Sequence, residues 1–286
     1  MVLISRFRSV WGIDSGPGLS NWRKLLVEWK AHGYKVSINF AAGCVEQLQA
    51  LRKLCDEVDF EVAVVMFSSM PQNAGLAPCG LPPDEHLKFY REQLRLANVL
   101  KPTVITSQSG SDYWTLEEAV YFYRMSLQVD KEEGLQGKVG HETHRKRGLF
   151  SPRIASLILK HVPELKVTAD ISHWVLVCER LLIQEEDQNS LNMLIPHVHH
   201  IHTRMGTTQS SQCPEPLNPA FAAERKFFEG FWIDIIKAKQ REDPDCRITW
   251  VPEYGPFPYH PIGSVRTHGE VADSEGKRLE ELFDSV

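Results

Sequence analysis

Eight short apolar runs, most of them followed by a segment with apolar residues at helical spacing, alternate along this chain from near residue 6 to residue 253. Such alternation implies parallel strands, because each helix carries the chain back to the edge where the next strand begins. The expected strands are 6–13, 34–40, 60–67, 102–106, 138–142, 166–170, 197–203 and 246–253. Trp22, Leu25, Leu26 and Trp29 mark the first helix, and Val45, Leu48, Leu51 and Leu54 the second. A loop rich in Pro, Gly and Asn (70–83) precedes an amphipathic helix over 83–99. Thr115 with Glu118 is a capping-box signature that opens the next helix. Further helices are expected near 151–161, from about 171 to 195, and near 219–240. A length of 286 residues without a linker signal fits one α/β domain, a single (β/α)8 TIM barrel spanning 1–286, better than two domains. The stretch 257–286 reads as a C-terminal extension, helix-prone over 273–284, that packs outside the barrel or across a partner, so a homo-oligomer is possible.

Composition narrows the function classes. With 42% hydrophobic and 24% charged residues the chain reads as a soluble globular protein. A net charge of −5 supplies no basic field for nucleic acid, and no apolar run approaches membrane-spanning length, so neither nucleic acid nor membrane is an expected partner. Six scattered cysteines without a CxxC pair, and an N-terminus without a signal-peptide core, point to a cytoplasmic protein with reduced thiols.

Four apolar runs in the second half end in side chains suited to a metal: Glu142, Asp170, His202 and Glu253. Side chains alternate across a strand, so Glu253 shares a face with Val251 and Thr249, Glu142 with Gly140, Asp170 with Thr168, and His202 with His200 and Val198. Those faces are mostly small, so they are expected to point into the barrel, with Trp250 and Ile248 outside. All four residues then meet at the C-terminal mouth, where barrel active sites lie. Three carboxylates and an imidazole suit a divalent ion, Mn2+ or Mg2+ first, Co2+ or Zn2+ next. Glu142 and Glu253 can also serve as an acid/base pair acting on a carbon-bound proton.

Each residue also has a plainer reading. Asp170-Ile171-Ser172-His173 could be a helix cap. His197 and His199 read as structural and Trp174 as packing. Gln108 follows the fourth strand and could bind a hydroxyl, whereas Gly110-Ser111-Asp112 lacks the lysine of a P-loop. Arg145-Lys146-Arg147 is either a solvated cluster or, through Arg145 above all, a grip on an anionic substrate.

On Glu142-Thr-His-Arg145, Asp170-Ile-Ser-His173-Trp174, His200-Ile-His202 and Pro252-Glu253, the chain resembles the xylose isomerase-like TIM-barrel superfamily, in its sugar phosphate isomerase/epimerase branch. The resemblance is densest over 138–256. It implies a metal held by Glu142, Asp170, His202 and Glu253, with the glutamates moving protons and His173 and His200 close to the substrate. The family places Gly-Glu after its HxH pair and an arginine a few residues on; here Thr203-Arg204-Met205-Gly206 follows, so Arg204 is the candidate for that arginine's substrate contact. The implied activity is metal-dependent isomerisation or epimerisation of a small polyhydroxy carbonyl compound through alpha-proton abstraction and an enediolate. The alternative is a dehydratase acting on an inosose- or dehydroshikimate-like substrate. An endonuclease IV-like nuclease is disfavoured, because Asn39-Phe-Ala-Ala and Met66-Phe-Ser-Ser offer no further metal ligands.

Overall fold

The computed structural model describes residues 3–13, 19–39, 45–69 and 80–286. Phe40 and the two alanines after it, Cys44, Cys79 and most of the 70–83 loop lie outside these residues. Eight strands, β1 (Leu3–Ser9), β2 (Lys35–Asn39), β3 (Val62–Phe67), β4 (Val104–Gln108), β5 (Val139–Glu142), β6 (Val167–Ala169), β7 (Val198–His202) and β8 (Arg247–Val251), form a closed barrel in sequence order. Every neighbouring pair is parallel, including β1 with β8. Around it lie α1 (Leu19–Ala31), α2 (Val45–Glu57), α3 (Pro83–Val99), α4 (Leu116–Glu132), α5 (Pro152–His161), α6 (Ser172–Cys178), α7 (Glu185–Leu194), α8 (Ala222–Glu242) and α9 (His268–Asp284). The chain is thus a single-barrel (β/α)8 fold. The capping box at Thr115 is formed, Thr115 and Glu118 each accepting from the other's backbone N–H.

Two strands sit off their expected positions. β1 begins and ends earlier than 6–13, because its register is set by β8 from Leu3↔Arg247 onward and the chain turns at Gly12, φ 74°. Its outward face carries arginines instead of apolar residues, and α9 answers them: Arg8 Nε donates to Asp273 Oδ1 at 2.7 Å, and Arg6 lies 3.2 Å from Glu280 Oε2. β4 starts at Val104 instead of 102, since Lys101 is left-handed (φ 48°) and Pro102 has no N–H to donate. α9 opens at the Thr267–Glu270 capping box and covers the outside of β8, with the Phe283 ring 5.2 Å from that of Trp250.

The main apolar clusters lie between strands and helices, and the interior is small. Phe7, Ala63, Val104 and Val251 plug the barrel. Above them Thr106 Oγ1 meets Thr168 Oγ1 at 3.0 Å. Gly140 makes room for this: a Cβ there would fall 2.7 Å from Thr168 Oγ1 and 3.0 Å from its backbone nitrogen. Outside, Trp174, Trp232 and Trp250 are fully buried, each contributing about 1.5–3 kcal/mol on the scale of large apolar side chains. His141, one residue before Glu142, points the other way, bonding Ser109 Oγ at 2.7 Å and stacking on Tyr90, whose hydroxyl donates to Asp130 at 2.6 Å.

Candidate metal and active site

Glu142 ends β5, Asp170 follows β6, His202 ends β7 and Glu253 lies two residues beyond β8. Alternation aims all four inward at the C-terminal mouth, and all are buried. One ligand atom from each lies within 4.8 Å of those of the others. His202 Nδ1 is 3.1 Å from Glu253 Oε2 and 3.4 Å from Glu142 Oε1, while Nε2 is 3.5 Å from Thr106 Oγ1. Asp170 is fixed most tightly. Its Oδ1 accepts from the Ser172 backbone (3.0 Å) and hydroxyl (2.5 Å), and its Oδ2 from Arg204 Nη2 (2.5 Å). The N-cap of α6 is Ile171, without a side-chain cap bond, so Asp170 stands one residue before the cap while its Oδ1 still accepts from the first helical N–H.

The electrostatics are those of a crowded anionic site. Burial pushes the Glu142 and Asp170 carboxyls up, despite the opposing pull of His202 on the first and Arg204 on the second. Burial also works against ionised Glu253, but His202 and Arg204 outweigh it and hold this carboxyl at about 2. Burial likewise disfavours charged His202, yet Glu253 and Glu142 raise it to about 10. Both oxygens of Glu142 are buried without a hydrogen-bond donor. A buried carboxylate normally has one, so this pair of lone acceptors suits a cation. With His202 neutral and all three carboxylates ionised, as ligands must be, the cluster and the buried Arg204 together carry two negative charges, which one dication neutralises. The cluster can therefore hold a divalent metal.

The other candidates fall around this quartet. Arg204, far from a surface loop position, is 2% exposed; it lies 3.6 Å from Glu253 Oε2, and the Trp11 and Tyr259 rings cover it at 5.9 and 5.7 Å. Its Nη2 is also 2.6 Å from His173 Nε2. His173 is fully buried, and burial with the adjacent His144 and Arg204 keeps its pKa well below the usual range. Arg145 is half-buried, donating to Ser211 Oγ at 2.8 Å and to the Tyr259 hydroxyl at 2.9 Å, with Nη1 2.8 Å from His173 Nδ1. Of its two basic neighbours, Lys146 is exposed and Arg147 is buried, donating to Ser69 Oγ at 3.1 Å. His200 sits a level deeper, bonded to Thr249 Oγ1 at 2.8 Å and edge-on to both His202 and Phe7. Gln108 is half-buried on the Thr106 face of β4, outside the quartet. His197 bonds the Leu165 carbonyl and Trp174 donates to the Leu149 carbonyl, both away from the mouth.

Sequence reasoning missed several neighbours. His144 stands with its ring centroid 3.8 Å from that of His173, and together with Glu142 these form a second group of ligand atoms within 4.8 Å. Its position two residues after Glu142 was the available signal. Thr143, directly after Glu142, accepts from the Asp170 N–H at 2.8 Å, and no pattern in the sequence marks it. Trp11, Ser211 and Tyr259 come from loops distant in sequence, and no local pattern marks them. Trp11 reaches the mouth because residue 255 is glycine: a Cβ there would fall 2.4 Å from its ring.

The chain is a closed parallel (β/α)8 barrel with a buried carboxylate–histidine cluster at its mouth. Solved structures of that fold align over nearly the whole chain. An L-ribulose 3-epimerase matches at TM-score 0.64 and 12% identity, covering 99% of this chain and 94% of its own. A probable 3-DHS dehydratase, AsbF, from Bacillus anthracis matches at TM-score 0.58 and 15% identity, covering 98% and 99%. Endonuclease IV from Thermus thermophilus matches at TM-score 0.54 and 13% identity, covering 98% of each chain. No family model matches the sequence, and no curated protein does. Among the described residues no helix is long and apolar enough to cross a membrane.

Proposed function

We propose that the protein is a divalent-metal-dependent isomerase or epimerase of a small polyhydroxy carbonyl compound. The observation that carries this reading is the Glu142–Asp170–His202–Glu253 quartet, buried, mutually within 4.8 Å and rich in carboxylate. These four residues would hold the ion, His202 through Nδ1, which faces the two glutamates. Mn2+ or Mg2+ fits a shell dominated by carboxylate oxygen. When bound, such an ion would polarise a substrate carbonyl and offset charge on an enediolate oxygen.

The chain's own residues divide the remaining work. Glu142 and Glu253 reach the mouth from non-adjacent strands, so they can address a carbon from two sides. One would take the proton alpha to the carbonyl and the other would return one, with their pKa values set by burial and by the ion. Arg204 and His173 present buried nitrogens beside Asp170, where they can orient a substrate oxygen. Trp11 and Tyr259 cover Arg204 and limit water at the reacting end.

The test is incubation of Mn2+-loaded protein with a panel of ketoses in D2O, read by mass spectrometry and proton NMR. One carbon-bound deuterium without other mass change is expected. Loss of water would assign the dehydratase outcome instead, and no exchange with any ketose would overturn the reading.

A further inference from the structure

We propose that Arg145, with Ser211 and Tyr259, forms a subsite for a substrate carboxylate, so that the compound handled at this mouth is a small polyhydroxy acid. The inference builds on the proposed metal chemistry and adds the charge of the substrate.

Three observations lead here. The first concerns His173, whose two ring nitrogens each face a guanidinium nitrogen: Arg145 Nη1 at 2.8 Å from Nδ1 and Arg204 Nη2 at 2.6 Å from Nε2. A neutral imidazole has one lone pair and a protonated one has none. At least one of these contacts therefore sets donor against donor. Arg204 is locked by Asp170 and Ser172, so the arginine able to yield is Arg145, which is half-buried at the rim.

The second is the company Arg145 keeps. Its described hydrogen-bond partners are Ser211 Oγ, the Tyr259 hydroxyl and His173, all uncharged, and its guanidinium lies 5.3 Å from the Tyr259 ring centroid. Among the described residues no carboxylate pairs with Arg145, and a partly desolvated guanidinium so placed favours an incoming anion, whose carboxylate form its planar fork matches. Ser211 and Tyr259 bring hydroxyls that can turn their hydrogens toward the same anion.

The third is the charge count. Glu142, Asp170 and Glu253 are balanced by Arg204 and one dication, while Arg145 at the rim and the buried Arg147, an electrostatic partner of Glu142, add positive charge that favours an anion over a neutral ligand. The same count disfavours a second dication on Glu142, His144 and His173, with Arg145 and Arg204 both against that group.

The test titrates glycerate, its neutral amide glyceramide, and inorganic phosphate into the protein by calorimetry, with and without Mn2+, comparing wild type with Arg145→Met and Arg145→Lys. Wild type is expected to bind glycerate at least tenfold more tightly than glyceramide, as one charge-assisted contact implies. Arg145→Met should remove that preference, and Arg145→Lys should restore part of it. Glycerate affinity equal in wild type and Arg145→Met overturns the subsite, as does a failure of glycerate to saturate the protein. Phosphate binding more tightly than glycerate in an Arg145-dependent way overturns the carboxylate assignment. If Mn2+ does not bind yet the Arg145-dependent preference persists, the metal reading fails and the subsite stands.

Discussion

Replacing Glu142 by Gln should raise the stability of the metal-free protein and abolish its stabilisation by metal. Both Glu142 oxygens are buried without a donor, and burial raises its pKa. A raised folded pKa means that the folded state holds its proton longer than the unfolded state. The stability associated with that proton is present below the unfolded pKa and lost as pH rises through the folded value. At pH 8 wild type thus carries the extra desolvation cost of an ionised carboxyl over a neutral amide, on the order of 1–3 kcal/mol. With Mn2+ the order reverses. At a free ion concentration about 100 times Kd, binding stabilises wild type by roughly 2.7 kcal/mol. For a chain of this size that is roughly a 5 °C rise in Tm. The assay is thermal unfolding at pH 8 in EDTA and in MnCl2, followed by circular dichroism. Expected are a Tm for Glu142→Gln a few degrees above wild type in EDTA and little Mn2+ shift. A variant that melts below wild type in EDTA and keeps the full Mn2+ shift would refute the reasoning.

Other expectations follow from the same geometry. Because Glu253 and Glu142 overcome burial and hold His202 at about 10, metal binding near neutral pH must displace a proton, so log affinity should rise by at least about one per pH unit between pH 6 and 9. A flat profile by calorimetry would count against Nδ1 as a ligand. Asp170→Asn and His202→Ala should each weaken Mn2+ binding beyond the roughly 10–100-fold typical of residues that only support a ligand, measured by mass-spectrometric stoichiometry and titration. Away from the site, burial raises Asp130 to about 7 against the opposing Tyr90 hydrogen bond. Wild-type stability should therefore fall between pH 4 and pH 8, by up to about 4 kcal/mol, and Asp130→Asn should flatten that fall in urea titrations.

The outline of the barrel was legible because its outward strand residues are mostly apolar and its helices carry periodic apolar stripes. It blurred where tertiary pairing overrode that pattern. β1 faces outward with Arg6 and Arg8, whose partners Glu280 and Asp273 lie on α9 at the other end of the chain, so its limits were misplaced. The quartet was legible because period-two alternation predicts the face of a strand residue without long-range knowledge, and Thr249 and Trp250 fall on the sides expected for them. The rim was less so. Tyr259, Ser211 and Trp11 converge through loops, whose paths depend on particular close approaches such as Trp11 over Gly255. Arg204 was singled out, but its pairing with Asp170 and its cover of two aromatic rings follow from packing and have no signature in the sequence.

The central claim is that one divalent ion sits among Glu142, Asp170, His202 and Glu253. An anomalous-scattering map from crystals of the Mn2+-loaded protein tests it most directly. The account predicts one strong peak bounded by carboxylate oxygens of the three acids and by His202 Nδ1. A peak between Glu142, His144 and His173 instead, or a mouth without any peak in protein shown to bind Mn2+, would contradict it.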